Sequence, residues 1–233
     1  MLVSIITPCL NSKKTIRNTI ESVMKQSYKN IQYIIVDGGS TDGTLEIIKE
    51  YLPKFHGRMK IISEKDNGIY DAMNKGLRMT MGVLIGIINS DDFYELDAVE
   101  TVVRNMTDDK YQVLYGYCKL INRNCGTIVW KDRHENLAKG MIPHPTCFVT
   151  RKVYCDFGMF LTTFKIASDY ELMLRYYKTR KVTFIQVKQI IATFRFGGAS
   201  SASKCEKRES AVIKYYHGII SFGDMMKCLI CNG

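Results

Sequence analysis

Proline is scarce in this 233-residue chain, at four residues. With only seventeen glycines, that excludes a collagen-like or proline-rich segment. Long apolar runs are also missing. The longest, Val83 to Ile88, is far below the ~20 residues a membrane-spanning helix needs. Met1 to Leu10 has no basic leader and is too short for a secretory signal, so the eight cysteines are expected to be reduced thiols rather than a disulfide framework. Cys228 and Cys231 form one C-x-x-C with no second pair at zinc spacing. There is no G-x-G-x-x-G and no Walker loop, which counts against NAD and P-loop chemistry. No helix-turn-helix, zinc-finger or aromatic RNA-binding motif accompanies the net charge of +10, and no nucleic-acid partner is expected.

What is present reads as a soluble globular chain, 46% hydrophobic and 24% charged. A chain this long can bury roughly 70% of its unfolded surface. Charge is uneven. Residues 1–109 carry 13 basic and 15 acidic groups, residues 110–188 carry 14 and 5, and residues 189–233 carry 6 and 3. The cationic middle suits an anionic partner. In the first half, short apolar runs alternate with helical stripes. Leu2–Ile6, Ile31–Val36, Met59–Ile62 and Val83–Ile88 read as strands. Stripes such as Ile16, Ile20, Val23 and Met24 read as helices between them. This alternation predicts an α/β fold with a mostly parallel sheet flanked by helices.

In such sheets ligands bind beyond the carboxyl ends of the strands. The four expected strands are followed by Thr7-Pro8-Cys9-Leu10-Asn11, by Asp37 to Gly43, by Ser63 to Gly68, and by Asn89-Ser90-Asp91-Asp92. All four segments are polar and three carry acids. Asp37 is placed to accept hydrogen bonds from a base or ribose. Gly38 and Gly39 remove side chains where a nucleotide would lie against backbone, and Ser40, Thr41 and Asp42 are N-cap candidates for the next helix. Adjacent carboxylates at Asp91 and Asp92 repel, and a divalent cation relieves that repulsion; Mg²⁺ and Mn²⁺ take oxygen ligands of this kind. The alternative is a helix N-terminus favoured by the dipole.

Together these segments resemble the inverting glycosyltransferases of family 2, with the GT-A fold. The match runs from residue 2 to about 197. It is carried by Ser4-Ile5-Ile6-Thr7-Pro8 with Asn11, by Val36 to Thr44, by Asp66-Asn67-Gly68-Ile69-Tyr70-Asp71-Ala72-Met73-Asn74-Lys75-Gly76, and by Asn89-Ser90-Asp91-Asp92. The resemblance implies donor binding by Thr7, Pro8, Asn11, Asp37, Asp66, Asn74 and Asp91, a metal carboxylate at Asp92, and Mn²⁺ or Mg²⁺ as cofactor. There are two departures from the family pattern. Gly38 stands where many relatives have a second Asp, and Asn89 and Ser90 replace the start of a literal D-x-D.

After Thr107 the sequence turns to hairpin-like strands, Val113–Ile121 and Thr127–Trp130, suiting a mixed acceptor-side half with no linker. Residues 1–200 are expected to form the transferase domain, with the nucleotide-binding half at about 1–109 and the acceptor half at about 110–200. Residues 201–233 are expected to be a C-terminal helical extension with Ala211 and Tyr215 on one face. Ser168-x-x-Glu171 reads as a capping box, putting Asp169 in a first helical turn where amides and dipole favour its ionised form. The resemblance makes Asp169 the base that deprotonates the acceptor hydroxyl, and His144 an acceptor-side residue. Arg195 to Ser201 reads as a segment closing over the donor, with Arg195 near the diphosphate. The reaction implied is transfer from a nucleotide-sugar, UDP by default, to a glycan or lipid-diphosphate-linked saccharide. Its expected place is the cytoplasm, at the inner membrane face, with peripheral membrane association. A sugar-phosphate nucleotidyltransferase lacks support after the first strand, and an inactive nucleotide-binding relative is the other alternative.

Overall fold

The structure, a computed structural model, describes residues 1–122, 126–195 and 204–231. The first half alternates β1 (Val3–Cys9), α1 (Ile16–Met24), β2 (Ile31–Asp37), α2 (Thr44–Tyr51), β3 (Met59–Ser63), α3 (Ile69–Arg78) and β4 (Leu84–Ile87). There follow β5 (Phe93–Tyr94), α4 (Ala98–Arg104), β6 (Gln112–Asn122), β7 (Gly126–Trp130), β8 (Phe148–Thr150), α5 (Arg151–Phe157), α6 (Ser168–Lys178), β9 (Thr183–Arg195), α7 (Lys204–Tyr216) and α8 (Phe222–Cys231). The strands form one sheet in the order β3-β2-β1-β4-β8-β6-β9-β5, with β7 on β6.

β1 to β4 are mutually parallel; β1, β2 and β4 are buried on both faces, the pattern expected of strands sandwiched between helices, while β3 at the sheet edge buries only Met59. Alternation divides their side chains between two cores. Ile6, Ile34, Val36 and Ile87 pack on the face shared with α3 and α6. Val3, Ile5, Tyr33 and Ile35 pack against α1, α2 and α4. The α1 stripe of Ile16, Ile20 and Val23 is buried, worth about 1.5–3 kcal/mol per side chain. Past β4 the sheet becomes mixed. β8 runs antiparallel to β4 and β6, and β5 antiparallel to β9, while β6 and β9 are parallel.

Three boundaries differ from the sequence reading. β1 continues through Cys9, so Thr7 and Pro8 lie in the strand itself. It keeps its register with β2 to Cys9↔Asp37, whereas its pairing with β4 ends at Ile6↔Ile87. Pro8, which has no N–H, falls where one side of the strand has lost its ladder. The acids at 91 and 92 do not begin a helix: β5 intervenes, and α4 is preceded by Asp97. In α7 the buried side chains are Ala211 and Ile213, while Tyr215 is exposed.

The C-terminal helices part company. α7 inserts Ile213 into the core that holds α3 and α6. α8 buries only Met225 and leaves Phe222, Met226 and Ile230 exposed. No helix among the described residues is long and apolar enough to cross a membrane. Ile213→Ala should cost about 2–5 kcal/mol, read as a lowered urea midpoint at unchanged slope.

Candidate active site

Parallel register sets the first part of the site. It aligns Cys9, Asp37 and Ser63 side by side at the ends of β1, β2 and β3. Asp37 is wholly buried and well satisfied. Ser63 donates its hydroxyl to Oδ2 at 2.7 Å, and the Ser40 N–H lies 3.2 Å from Oδ2 and 3.3 Å from Oδ1. The Cys9 thiol sits 3.8 Å from Oδ1; burial, and then the Asp37 charge, push its pKa far up, so it stays a thiol. Thr7 is buried too, its hydroxyl 3.0 Å from that of Tyr33.

Short polar contacts stitch the loops beyond the strand ends. Asn11 takes a left-handed backbone (φ 48°), which Asn tolerates. Its N–H donates to Ser40 Oγ at 2.8 Å, and its Oδ1 accepts the Thr41 N–H at 2.9 Å. Ser12 joins two further loops, through its N–H to Thr44 Oγ1 and its hydroxyl 2.7 Å from that of Ser90. The α2 N-cap is Gly43, with Asp42 accepting the Thr44 N–H at 3.0 Å from one residue earlier.

Gly38 is explained by Asp66. A Cβ built at residue 38 would lie 2.2 Å from Asp66 Oδ2, so this carboxylate takes the space a side chain would fill. Asp66 Oδ1 meanwhile accepts the Gly68 N–H at 2.9 Å. The expected open backbone beside the nucleotide is thus partly occupied by the chain's own acid.

Asp91 and Asp92 are unequal. Asp91 is partly open, and burial raises its pKa. Asp92 has no exposed surface, and its Oδ1 accepts the Arg195 N–H at 3.1 Å. Burial, with the Asp91 charge adding to it, lifts the Asp92 carboxyl well above the usual range. Asp92 Oδ2 and the neighbouring Asn89 Oδ1 are buried with no hydrogen-bond partner. Unsatisfied oxygens beside a half-open carboxylate are a donor set that a hard divalent cation fits, with substrate phosphates completing its shell. Among the described residues no group of three His, Cys, Asp or Glu forms a closed cage. Of the two acids, Asp92, expected as the metal carboxylate, is sealed, and Asp91, expected at the donor, is the one open to approach. The Arg195 guanidinium stands 5.0 Å over the Phe93 ring and lowers the carboxyl pKa of both acids. The rest of the expected closing segment, 196–201, lies outside the described residues.

Asp169 is in the first turn of α6, half-buried. The Tyr70 hydroxyl, from the first turn of α3, lies 3.0 Å from Asp169 Oδ1 and 2.5 Å from the Ile166 carbonyl oxygen. Tyr70 stacks on Phe160 at 5.5 Å, and His144 meets the same ring edge-on at 5.9 Å. His144 is buried; burial pulls its pKa down while the Asp169 charge pulls it up. Asn74, expected at the donor, has its carboxamide engaged by Phe160, receiving its N–H at 3.1 Å and donating to its carbonyl at 2.9 Å. It supports the aromatic group beside Asp169.

The capping box does not form. The N-cap position falls on Ala167, Ser168 Oγ is buried without a partner, and Glu171 pairs with Arg175 at 2.9 Å.

The sequence model of the family described as Glycosyl transferase family 2 matches residues 4–197. The chain belongs to glycosyl transferase family 2. It is a glycosyltransferase with the GT-A fold. A PGL/p-HBAD biosynthesis glycosyltransferase of Mycobacterium bovis (strain BCG / Pasteur 1173P2) is 27% identical over 201 residues, 85% of this chain and 78% of that protein. A chondroitin synthase of Escherichia coli is 33% identical over 181 residues, 75% of this chain but 26% of that protein. Among solved structures, S. aureus TarS 1-349 in complex with UDP-GlcNAc superposes with TM-score 0.76 at 20% identity, covering 98% of this chain and 70% of that one. The mannosyltransferase PcManGT from Pyrobaculum calidifontis, in complex with GDP-Man and Mn²⁺, gives 0.70 at 15% identity, over 99% and 68%.

Sequence reasoning on this transferase missed Tyr70, which reads as one more apolar residue of a helix stripe. It also missed Glu206, on α7, whose carboxyl is pushed up by burial and then by Asp169. Neither carries a local signal: Tyr70 reaches Asp169 only through packing, and Glu206 only feels its charge.

His144 gives a pH test. Its folded pKa lies below the ordinary value of 6.5, so the unfolded chain binds the proton more readily. Its contribution is therefore lost as pH falls through about 6.5 toward the folded value. The melting temperature of His144→Gln relative to wild type should rise between pH 7.5 and pH 5.5, measured by differential scanning calorimetry.

Proposed function

We propose that this glycosyltransferase is inverting. It moves a sugar from a nucleotide-diphosphate sugar, UDP-linked by default, to a hydroxyl of a glycan or lipid-linked saccharide in cell-surface polysaccharide biosynthesis. The observation that carries the reading is the Tyr70 contact. Tyr70, in the first turn of the helix that follows the Asp66 loop, reaches Asp169, so nucleotide-side loops and the candidate base share one edge. The complexes of the structural neighbours with UDP-GlcNAc and with GDP-Man and Mn²⁺ support the donor class. The names of the relatives support a glycan or glycolipid product.

The residues divide the work. Thr7 and Pro8 form the strand-end floor. Asn11 and Asp37 hold the 38–44 loop in shape for the nucleoside, and Asp66 contacts it across Gly38. Asn74 acts one step back, through Phe160. Mn²⁺ or Mg²⁺, when bound, would be held by Asp91 with Asp92 and Asn89 behind it, and would supply positive charge against the departing diphosphate. Arg195 adds a fixed cation at the same end. Asp169 takes the acceptor proton on Oδ2, since Oδ1 faces Tyr70, while the acceptor oxygen attacks the anomeric carbon from the face opposite the leaving group. A single displacement turns an α-linked donor into a β-glycoside. His144 borders the acceptor side as a neutral imidazole.

A place at the inner membrane face belongs to the same proposal. Its support is the exposed row Phe222, Met226 and Ile230 on α8, beside Lys227, in a chain of net charge +10.

A nucleotide-sugar panel assayed for turnover with and without Mn²⁺ tests the proposal; no turnover and no metal-dependent nucleotide binding would reject it. Asp169→Asn is expected to bind donor normally and lose transfer. Asp91→Asn should weaken metal-dependent nucleotide binding by about tenfold or more, read by titration calorimetry. Gly38→Ala displaces Asp66 and should cost about tenfold in nucleotide Kd, the size of one lost charge-assisted hydrogen bond.

A further inference from the structure

The first amides of an α-helix need acceptors, and they carry the positive end of its dipole. At α6 no side chain of its own first turn supplies one. Just ahead of that turn, the N–H groups of Lys165, Ile166 and Ala167 converge on one carboxylate, that of Glu209 on α7. Lys165 donates to Oε1 at 2.8 Å, and Ile166 and Ala167 both donate to Oε2 at 2.9 Å. The Cys205 thiol stands 3.7 Å from Oε1. On the carbonyl side, Tyr70 reaches Ile166 O. The three residues that lead into α6 are therefore gripped through their N–H groups by α7 and through a carbonyl by α3.

This grip has a consequence for Asp169, two residues past Ala167. Without Glu209, three unsatisfied amides would be left to water or to the closest carboxylate, and the closest in sequence is Asp169 itself. A hydrogen bond from the base to its own helix start would swing the carboxylate away from an incoming hydroxyl. Glu209 satisfies those donors and leaves Asp169 facing Tyr70. The helix that carries Glu209 is anchored by Ile213, which is fully buried in the shared core, so the grip has a rigid support.

We infer that Glu209 is a positioning residue of the transfer reaction, tying the segment that delivers Asp169 to α7, so that acceptor deprotonation depends on it and donor binding does not. The inference rests on the assignment of Asp169 as base. A 1 Å misplacement of a reacting group can cost about a hundredfold in rate. Glu209→Gln keeps the side-chain shape and bulk but removes the charge and leaves one acceptor oxygen for three N–H donors, setting an N–H₂ against the remainder.

In a steady-state transfer assay with the full chain, Glu209→Gln should lower kcat by about 10–100-fold. Donor KM and nucleotide Kd should stay within about twofold, a smaller change than one ordinary hydrogen bond would give. A kcat within twofold of wild type would overturn the inference, as would loss of donor affinity in step with kcat, the mark of a merely structural role. Amide hydrogen exchange on the wild type gives a reading that needs no variant to fold. Residues 165–167 should be protected, and exchange as fast as in an unstructured loop would equally overturn it. Asp169→Asn in the same assay separates the two ideas. Transfer retained in Asp169→Asn rejects the base assignment; transfer lost there but kept in Glu209→Gln rejects the positioning role alone.

Discussion

Four parallel strands can end only on a common edge, and everything at this site depends on that constraint. The β3-β2-β1-β4 ladder carries no antiparallel member, so each of its strands delivers its following loop to the same side. Cys9, Asp37 and Ser63 stand in one row because the register places them there. Once gathered, the loops are short enough to hold one another. Asn11 reaches Ser40 and Thr41, and Ser12 reaches Thr44 and Ser90. The polar groups that would be costly to leave unpaired near a buried sheet are mostly satisfied by these neighbours.

The second half reaches the same edge by a different route. α6 is not aligned by a strand. It is aligned by Tyr70 from α3, by the aromatic group of Tyr70, Phe160 and His144, and by Asn74 locking the Phe160 backbone. Arg175 completes the support from the far side, pairing with Glu171 and donating to the carbonyls of Phe157 and Met159. The helix that carries Asp169 is therefore held through side chains, which makes its geometry sensitive to single substitutions.

The buried acids show two solutions to the same electrostatic problem. Asp37 is fully enclosed yet accepts from a hydroxyl and a backbone N–H, so its charge is compensated within the chain. Asp92 is enclosed with one oxygen bonded and the other bare, beside a second acid. The first arrangement is complete; the second is left short of positive charge, and Arg195 supplies only part of it. That imbalance is what the proposed cation would relieve.

Much of the first half was legible in the linear order of residues. β-branched runs separated by helical stripes leave a parallel sheet as the economical packing, and polar segments after each run follow from it. The start of α6 was legible at the level of position. What holds its entry was not: Ser168 and Glu171 fit the local capping pattern, but burial took both, and the three amides just ahead of the helix go to Glu209, 42 to 44 residues along the chain. Around Glu209 the sequence reads as ordinary surface charge. The division between Asp91 and Asp92 was also invisible, because it is made by β5, a two-residue strand with no periodicity to detect, pairing with β9 and bringing the Arg195 N–H to Asp92. Residue order alone determined the layering, the order of strands and helices and the supply of acids, since these follow from local pattern and the need to bury apolar faces. Tertiary structure alone decided where β1 ends, which acid faces solvent, which is sealed and which carboxylate holds the amides ahead of α6, since those depend on contacts between segments that share no sequence neighbourhood.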